Sequence, residues 1–226
     1  MTTAIDIVIP TLNAGPTLES TLAAIPAHPD LAFSITVCDG GSRDDTVGIA
    51  RRAGAAIVTA PAGRGGQLAA GAAAGVAPWL LFLHADTRLA DGAGEEMARF
   101  VDAISGKAGY FRMRFEAAER AARRVERLVA WRCRAIGLPY GDQGLLISRA
   151  HYERLGGFRP LPLMEDVDLV RRIGRDDLVP LEADAITSAA RYRRDGWWLR
   201  PLRNLSCLSL YFAGVPPQTL RRLYGG

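Results

Sequence analysis

Ile5-Asp6-Ile7-Val8-Ile9-Pro10-Thr11-Leu12-Asn13 and Val37-Cys38-Asp39-Gly40-Gly41-Ser42-Arg43-Asp44-Asp45-Thr46 are the stretches that decide the fold. Each is a short apolar run that halts at a polar, turn-forming segment, and a helical pattern from Pro16 to Ile25 lies between them. Runs at Ile5 to Pro10, Ser34 to Cys38, Ala55 to Thr59 and Trp79 to Leu83 are near-continuously apolar. That is expected of strands buried on both faces of a parallel sheet. Further helices are predicted over Asp44 to Ala53 and Gly65 to Ala74. Strand and helix alternating in this way mean βαβ units. Pro16 suits a first helical turn, and Ser42 with Asp45 three residues later makes an Asp version of the capping box.

Beyond residue 90 the rhythm loosens. A helix from Asp91 to Ile104 leads to a strand near Gly109 to Phe115. Ala118, Ala121, Ala122, Val125, Leu128 and Val129 then recur at helical spacing opposite an arginine-rich face, which reads as a solvated one. Gly144 to Ser148 reads as a strand, Leu163 to Ile173 as a helix and Leu178 to Ala183 as an edge strand. The apolar tail from Gly196 to Gly214 stops before Pro216-Pro217. The expectation is one α/β domain over 1–226, with a mostly parallel central sheet flanked by helices and a helical C-terminal tail.

Composition agrees with a globular domain: of 226 residues, 49% are hydrophobic and 23% charged, which excludes disorder and collagen-like repeats. Three cysteines, Cys38, Cys133 and Cys207, are too scattered for a disulfide framework or a CxxC metal site, so a reducing compartment is expected. No basic leader precedes the first strand, and the uncharged run from Gln67 to Leu83 is broken by Gly71, Gly75 and Pro78, so neither a signal peptide nor a membrane span is expected. The net charge of +4 is unevenly spread: Arg112 to Arg134 carries +5, Arg191 to the end carries +6, and the remainder is −7. All but Lys107 of the 28 basic residues are arginine, a side chain suited to bidentate phosphate contacts.

In open α/β sheets ligands bind beyond the carboxyl ends of the strands. The residues expected there are Thr11-Leu12-Asn13, Asp39 to Ser42, Arg64 within Pro61 to Gly66, and His84-Ala85-Asp86. One rim would thus carry a short amide, two carboxylates, a guanidinium and an imidazole. That set suits a nucleotide: carboxylate and amide for base and ribose, arginine for phosphate, carboxylate with imidazole for a divalent ion.

With these residues quoted, the chain resembles the family 2 glycosyltransferases of GT-A (Rossmann-like) fold. Their second strand commonly ends in Asp-Asp-Gly-Ser-x-Asp-x-Thr, with Cys38 here in place of the first Asp. The likeness extends through Leu83-His84-Ala85-Asp86, Gly156-Gly157-Phe158 and Glu165-Asp166-Val167-Asp168-Leu169, roughly three quarters of the chain. With its His-Ala-Asp-Thr and Gly-Asp-Gln-Gly motifs it is most similar to a small bacterial subgroup, the radical-SAM/selenodomain-associated transferases.

The resemblance implies an inverting transfer from a UDP- or GDP-linked sugar to a small hydroxyl acceptor. It implies nucleotide contacts from Thr11, Asn13, Asp39, Arg64 and Asp86. Asp166 would be the general base, with Glu165 in support. Asp86 would hold a divalent metal, Mn or Mg, together with His84, which replaces the first Asp of the DxD motif; no histidine follows His151 to serve as a late ligand. If strand four continues through them, His84 and Asp86 fall on one side. A metal-free site, with arginines neutralising the diphosphate, is the alternative. Asp142 and Gln143, between the basic helix and a strand, read equally as a turn or as an acceptor-side loop. The chain then divides into a nucleotide-binding half (about 1–110), an acceptor half (111–190) and a basic amphipathic tail (191–226). The tail is expected to pack on the core, form a homodimer contact or lie on an anionic membrane surface, in a protein of the cytoplasm or peripheral to the inner face of the membrane.

Blander readings stand beside these. Asp39 and Ser42 suit a turn, Arg64 a loop, and Glu165, Asp166 and Asp168 an acidic first helical turn. The rival activities are a nucleotidyltransferase, which usually has a glycine-rich basic loop after strand one where Thr11 to Pro16 has one glycine and no base, and a non-catalytic nucleotide- or membrane-binding module. Nucleic acid is not expected as a partner, since the basic stretches carry no reading motif.

Overall fold

In the computed structural model, residues 2–103 and 106–224 are described. Their strands are β1 (Thr3–Thr11), β2 (Leu31–Asp39), β3 (Ala56–Thr59), β4 (Trp79–Phe82), β5 (Thr87–Leu89), β6 (Ala108–Phe115), β7 (Leu145–Ser148) and β8 (Leu178–Thr187). Their helices are α1 (Gly15–Ala23), α2 (Thr46–Arg52), α3 (Arg64–Ala74), α4 (Ala93–Ala103), α5 (Arg120–Ile136), α6 (Arg149–Arg154), α7 (Glu165–Ile173), α8 (Ala190–Asp195), α9 (Leu199–Phe212) and α10 (Pro217–Tyr224). Short 3-10 turns fall at Gly141–Gln143 and Arg175–Asp177. The strands form one sheet in the order β3-β2-β1-β4-β7-β6-β8-β5.

The first half follows the βαβ expectation: β3, β2, β1 and β4 are neighbours and parallel. Successive side chains of β1 point to opposite faces. Ile5, Ile7 and Ile9 join Leu18, Leu22 and Phe100 on one side, and Val8 joins Cys38, Leu68 and Ala72 on the other. With both faces covered, the whole run must be apolar. Helix α3 lies so close to the sheet that a Cβ on Gly71 would sit 2.4 Å from both Cys38 Sγ and Val8 Cγ1.

One residue breaks that apolar rule. Asp6 is 5% exposed in β1, and its Oδ2 accepts hydrogen bonds from Ala77 N (2.8 Å) and Arg149 Nη2 (2.7 Å). The same guanidinium donates to the carbonyls of Ala72 and Ala77, each at 2.7 Å. Arg149 therefore ties β1, the end of α3, the lead-in to β4 and the start of α6 at one buried point.

The second half corrects several expectations. The sheet is mixed rather than mostly parallel, because β7 runs antiparallel to β4 and β6, and β5 antiparallel to β8. Leu145-Leu146-Ile147 is buried on both faces, and such a run looks the same whichever way it points. The expected edge strand at Leu178 is internal, lying between β6 and β5 and reaching Thr187. Its Pro180, which cannot donate, sits where the register with β6 slips between Tyr110 and Arg112. The edges are β5, too short to show as a periodicity, and β3, which is half-exposed. The capping box at Ser42 and Asp45 does not form: Asp45 pairs with Arg52 at 2.6 Å, and Ser42 turns to Asp39 and Asn13. The expected end of the helix at Ile104 lies outside the described residues.

The arginine-rich helix follows its pattern in part: Ala122, Val125 and Val129 face inward, whereas Ala118 precedes the helix and Leu128 is 53% exposed. α5 buries Ala122, Val125, Val129 and Cys133, exposes Arg120, Arg127 and Arg134, and ends at Gly137 in the left-handed conformation (φ 61°). In the tail, Cys207 and Leu208 of α9 and Leu220 of α10 pack with Leu138, Leu163 and Val167, so its inner face is core.

Candidate active site

Beyond β1 and β2 the chain is stitched into a rigid rim. Thr11 Oγ1 donates to Asp39 Oδ1 at 3.0 Å, and the other carboxylate oxygen accepts from the amides of Gly41 (2.9 Å) and Ser42 (2.8 Å). Ser42 Oγ donates to Asp39 as well. Burial would raise the Asp39 pKa, but hydrogen bonds from Ser42, Gly41 and Thr11 hold it below the ordinary carboxylate value. Asn13 takes a left-handed conformation (φ 51°), which asparagine tolerates, and its Oδ1 accepts from Arg43 N at 2.8 Å. Beneath the rim, buried Gln67 of α3 donates Nε2 to the carbonyls of Thr11 (2.7 Å) and Cys38 (2.6 Å).

After β4 the chain turns at once, Thr87 N donating to His84 O (3.2 Å), so His84 and Asp86 sit on a turn and not on a continuing strand. The imidazole lies against Gly141: a Cβ there would come within 2.4 Å of Nε2. Burial, with Arg64 and Arg191 nearby, pushes the His84 pKa down to about 4 against the pull of Asp86 and Asp166. No hydrogen bond from any described residue reaches the Asp86 carboxylate, while its carbonyl accepts from Ser188 N at 3.2 Å.

At the head of α7, Met164 adopts φ 65°, and Asp166 Oδ2 accepts from Gly141 N at 2.9 Å. Glu165, 1% exposed, turns the other way and meets Arg64 Nε at 2.7 Å. Burial raises the Glu165 pKa against the pull of Arg64. The two residues expected separately, one for phosphate and one in support of the base, thus form a single unit: Glu165 fixes the guanidinium at the mouth of the site.

Two clefts meet at this point. Thr11, Asn13, Gln67 and Arg221 line the first, and Tyr140, Asp142, Asp166, Arg200 and Asn204 line the second. Arg64, His84, Asp86, Ser188 and Arg191 border both. Exposed Arg191, at the start of α8, adds a cation where the clefts join.

Asp142 lies in the second cleft with Oδ1 unpartnered and its pKa pushed up to about 6, chiefly by burial. The native state therefore holds the proton more tightly than the unfolded chain, and between pH 4 and 6 stability falls as pH rises. Asp142→Asn should stabilise the protein above pH 6 by about 1–3 kcal/mol, with a smaller gain toward pH 4. Melting temperatures across that range check this; a gain that grows on acidification would contradict it.

Of the expected residues, Thr11, Asn13, Arg64, His84, Asp86, Asp142 and Asp166 converge on these clefts. Asp39 lies beneath as the organiser of the rim, and Glu165 behind as the partner of Arg64. Gln143 points inward: its Nε2 donates to Phe111 O at 3.0 Å, and its Oε1 accepts from Tyr140 N at 3.3 Å and Arg132 Nη2 at 3.2 Å. Sequence reasoning missed Gln67, Arg191, Arg200 and Asn204. A lone amide in the first turn of α3 was the only local sign of the first, and the other three sit in a tail read by its charge.

Comparison with known proteins agrees with this architecture. The S. aureus TarS 1–349 structure superposes with a TM-score of 0.66 at 13% identity, over 84% of this chain and 61% of that one. Glucosyl-3-phosphoglycerate synthase from Mycobacterium tuberculosis gives 0.55 at 23% identity, over 80% and 70%. The fold is thus GT-A-like. An uncharacterised glycosyltransferase of M. tuberculosis is 38% identical over 84 residues, which is 37% of this chain and 37% of that relative, so the match spans little more than a third of either. The model of glycosyl transferase family 2 matches residues 6–151, from the first strand through the rim loops and β7 to the start of α6. The chain belongs to that family, the family 2 glycosyltransferases.

Proposed function

We propose that this protein transfers a sugar from a nucleoside-diphosphate sugar to a hydroxyl acceptor, with inversion and with Asp166 as general base. The observation that supports this best is the meeting of two clefts at Arg64, His84, Asp86 and Arg191, with Asp166 in the second of them. The nucleotide belongs in the first cleft, on the rim built by Thr11, Asn13 and Asp39. The acceptor belongs in the second, beside Asp142 and Asp166.

The acceptor oxygen forms a bond to the anomeric carbon as the bond from that carbon to the diphosphate oxygen breaks. The proton passes to the Asp166 carboxylate, which Gly141 N–H holds in place, and the leaving electron pair stays on the diphosphate. Arg64, fixed by Glu165, and Arg191 stabilise the charge that gathers there. The unpartnered Asp142 oxygen is placed to accept a hydrogen bond from a second acceptor hydroxyl.

Related structures support a nucleotide-sugar donor. TarS 1–349 has been solved with UDP and with UDP-GlcNAc, and the M. tuberculosis synthase with Mn²⁺, UDP and glucosyl-3-phosphoglycerate. For this chain a divalent ion fits in a limited way. Among the described residues no three His, Cys, Asp or Glu side chains can hold one together, but the Asp86 carboxylate is free of hydrogen bonds and His84 stands beside it. These two would hold the ion, and a carboxylate–imidazole pair favours Mn²⁺ over Mg²⁺. When bound, it would add positive charge at the leaving diphosphate.

The reading is tested by incubating the protein with UDP- and GDP-linked sugars and candidate acceptors, with and without Mn²⁺, while following release of free nucleoside diphosphate and, separately, calorimetric binding of UDP and GDP. Release that depends on acceptor is expected. Tight nucleotide binding with no turnover of any donor would instead identify a non-catalytic module.

A further inference from the structure

α9 has two faces. Cys207 and Leu208 are buried in the core and Arg200 and Asn204 line the acceptor cleft, while Trp198, Leu202, Leu205 and Phe212, at spacings of four, three and seven, are 66%, 57%, 59% and 48% exposed. Those spacings put the four on one stripe of the helix. Leu128 and Trp131 of α5, exposed by 53% and 61%, form a second stripe with Arg124, whose guanidinium stacks 3.4 Å from the Trp198 ring centroid. The two stripes therefore meet in one apolar surface.

The charge around this surface has one sign. Residues 196–226 contain no acidic residue; two of their four arginines, Arg200 and Arg221, line the clefts, and Arg120, Arg127 and Arg134 of α5 are exposed. The acids within or next to the two helices are already paired: Glu126 with Arg123 at 2.6 Å, Glu119 with Arg193 at 2.8 Å, and Asp195 with Arg194 and Arg200 at 2.7 and 2.8 Å. Among the described residues no helix is long and apolar enough to cross a membrane. We propose that the α5–α9 surface docks on an anionic lipid bilayer, with Trp131, Trp198, Leu202, Leu205 and Phe212 entering the interface and the arginines meeting lipid phosphates. A second copy of the chain is the poorer occupant, because a like pairing would bring the arginine rims together. The proposal does not depend on how the clefts are read.

Vesicle cosedimentation tests it. The protein should bind mixed phosphatidylglycerol–phosphatidylcholine vesicles at least about tenfold more tightly than pure phosphatidylcholine ones, and added salt should weaken the binding. Leu202→Ser with Leu205→Ser, and separately Arg120→Glu with Arg127→Glu, should each lose at least about tenfold. Val76→Ser, at a 93% exposed valine just beyond α3, should lose nothing. The two double variants act through different atoms, so vesicle binding kept in both would overturn the proposal. So would equal binding to both vesicle types, or a dimer in sedimentation equilibrium that the serine variant disperses while no vesicle is bound.

Discussion

Asp166→Asn should lower turnover of a nucleotide sugar by about a thousandfold while leaving calorimetric binding of UDP or GDP unchanged. The two carboxylate oxygens accept from Gly141 N at 2.9 Å and Val167 N at 2.8 Å. Asparagine keeps one oxygen to accept from Gly141 and gives up only the local bond from Val167, so the Gly141 loop and the His84 ring against it keep their places. What is removed is the group that takes the acceptor's proton. The loss should therefore appear in kcat with little change in the donor KM. Turnover within about tenfold of the parent would sink the assignment of the base and leave the family membership standing.

Arg149→Met should cost about 3–5 kcal/mol of stability and lower the melting temperature by roughly 10 °C or more. The substitution keeps much of the side-chain volume and removes the cation that faces Asp6. It leaves a buried carboxylate with Ala77 N as its remaining donor, and strips the carbonyls of Ala72 and Ala77 of theirs. Asp6→Asn combined with Arg149→Met should cost less than the two single changes summed, because each single change strands its partner. A melting temperature for Arg149→Met within a few degrees of the parent would show that solvent or rearrangement satisfies Asp6 instead.

The same pair shows where sequence reasoning reached its limit. The rim was legible because each of its residues follows an apolar run directly, so locating the strand ends located Thr11, Asn13, Asp39, His84 and Asp86. Nothing local marks Asp6 as the partner of Arg149, or Arg64 as the partner of Glu165, because each pair comes from distant parts of the chain and meets only after the sheet assembles. The direction of β7 was hidden for a different reason, since burial on both faces erases the alternation that would orient a strand's surroundings. Gln143 was misplaced because a glycine-flanked amide in a loop suggests an exposed turn, whereas here it is spent on Phe111, Tyr140 and Arg132. The tail reads from sequence as a basic amphipathic segment, which does not reveal that Arg191, Arg200 and Asn204 help to wall the clefts.

α9 carries Arg200 and Asn204 toward one compartment and Leu202 and Leu205 toward another, on a single rod of fourteen residues. Two contacts on one rigid body share a thermodynamic account. Whatever factor a filled cleft applies to attachment on the outer side, attachment must apply to filling of the cleft. Where that factor differs from one, affinities for a small ligand measured free in solution and at a surface differ by the same factor.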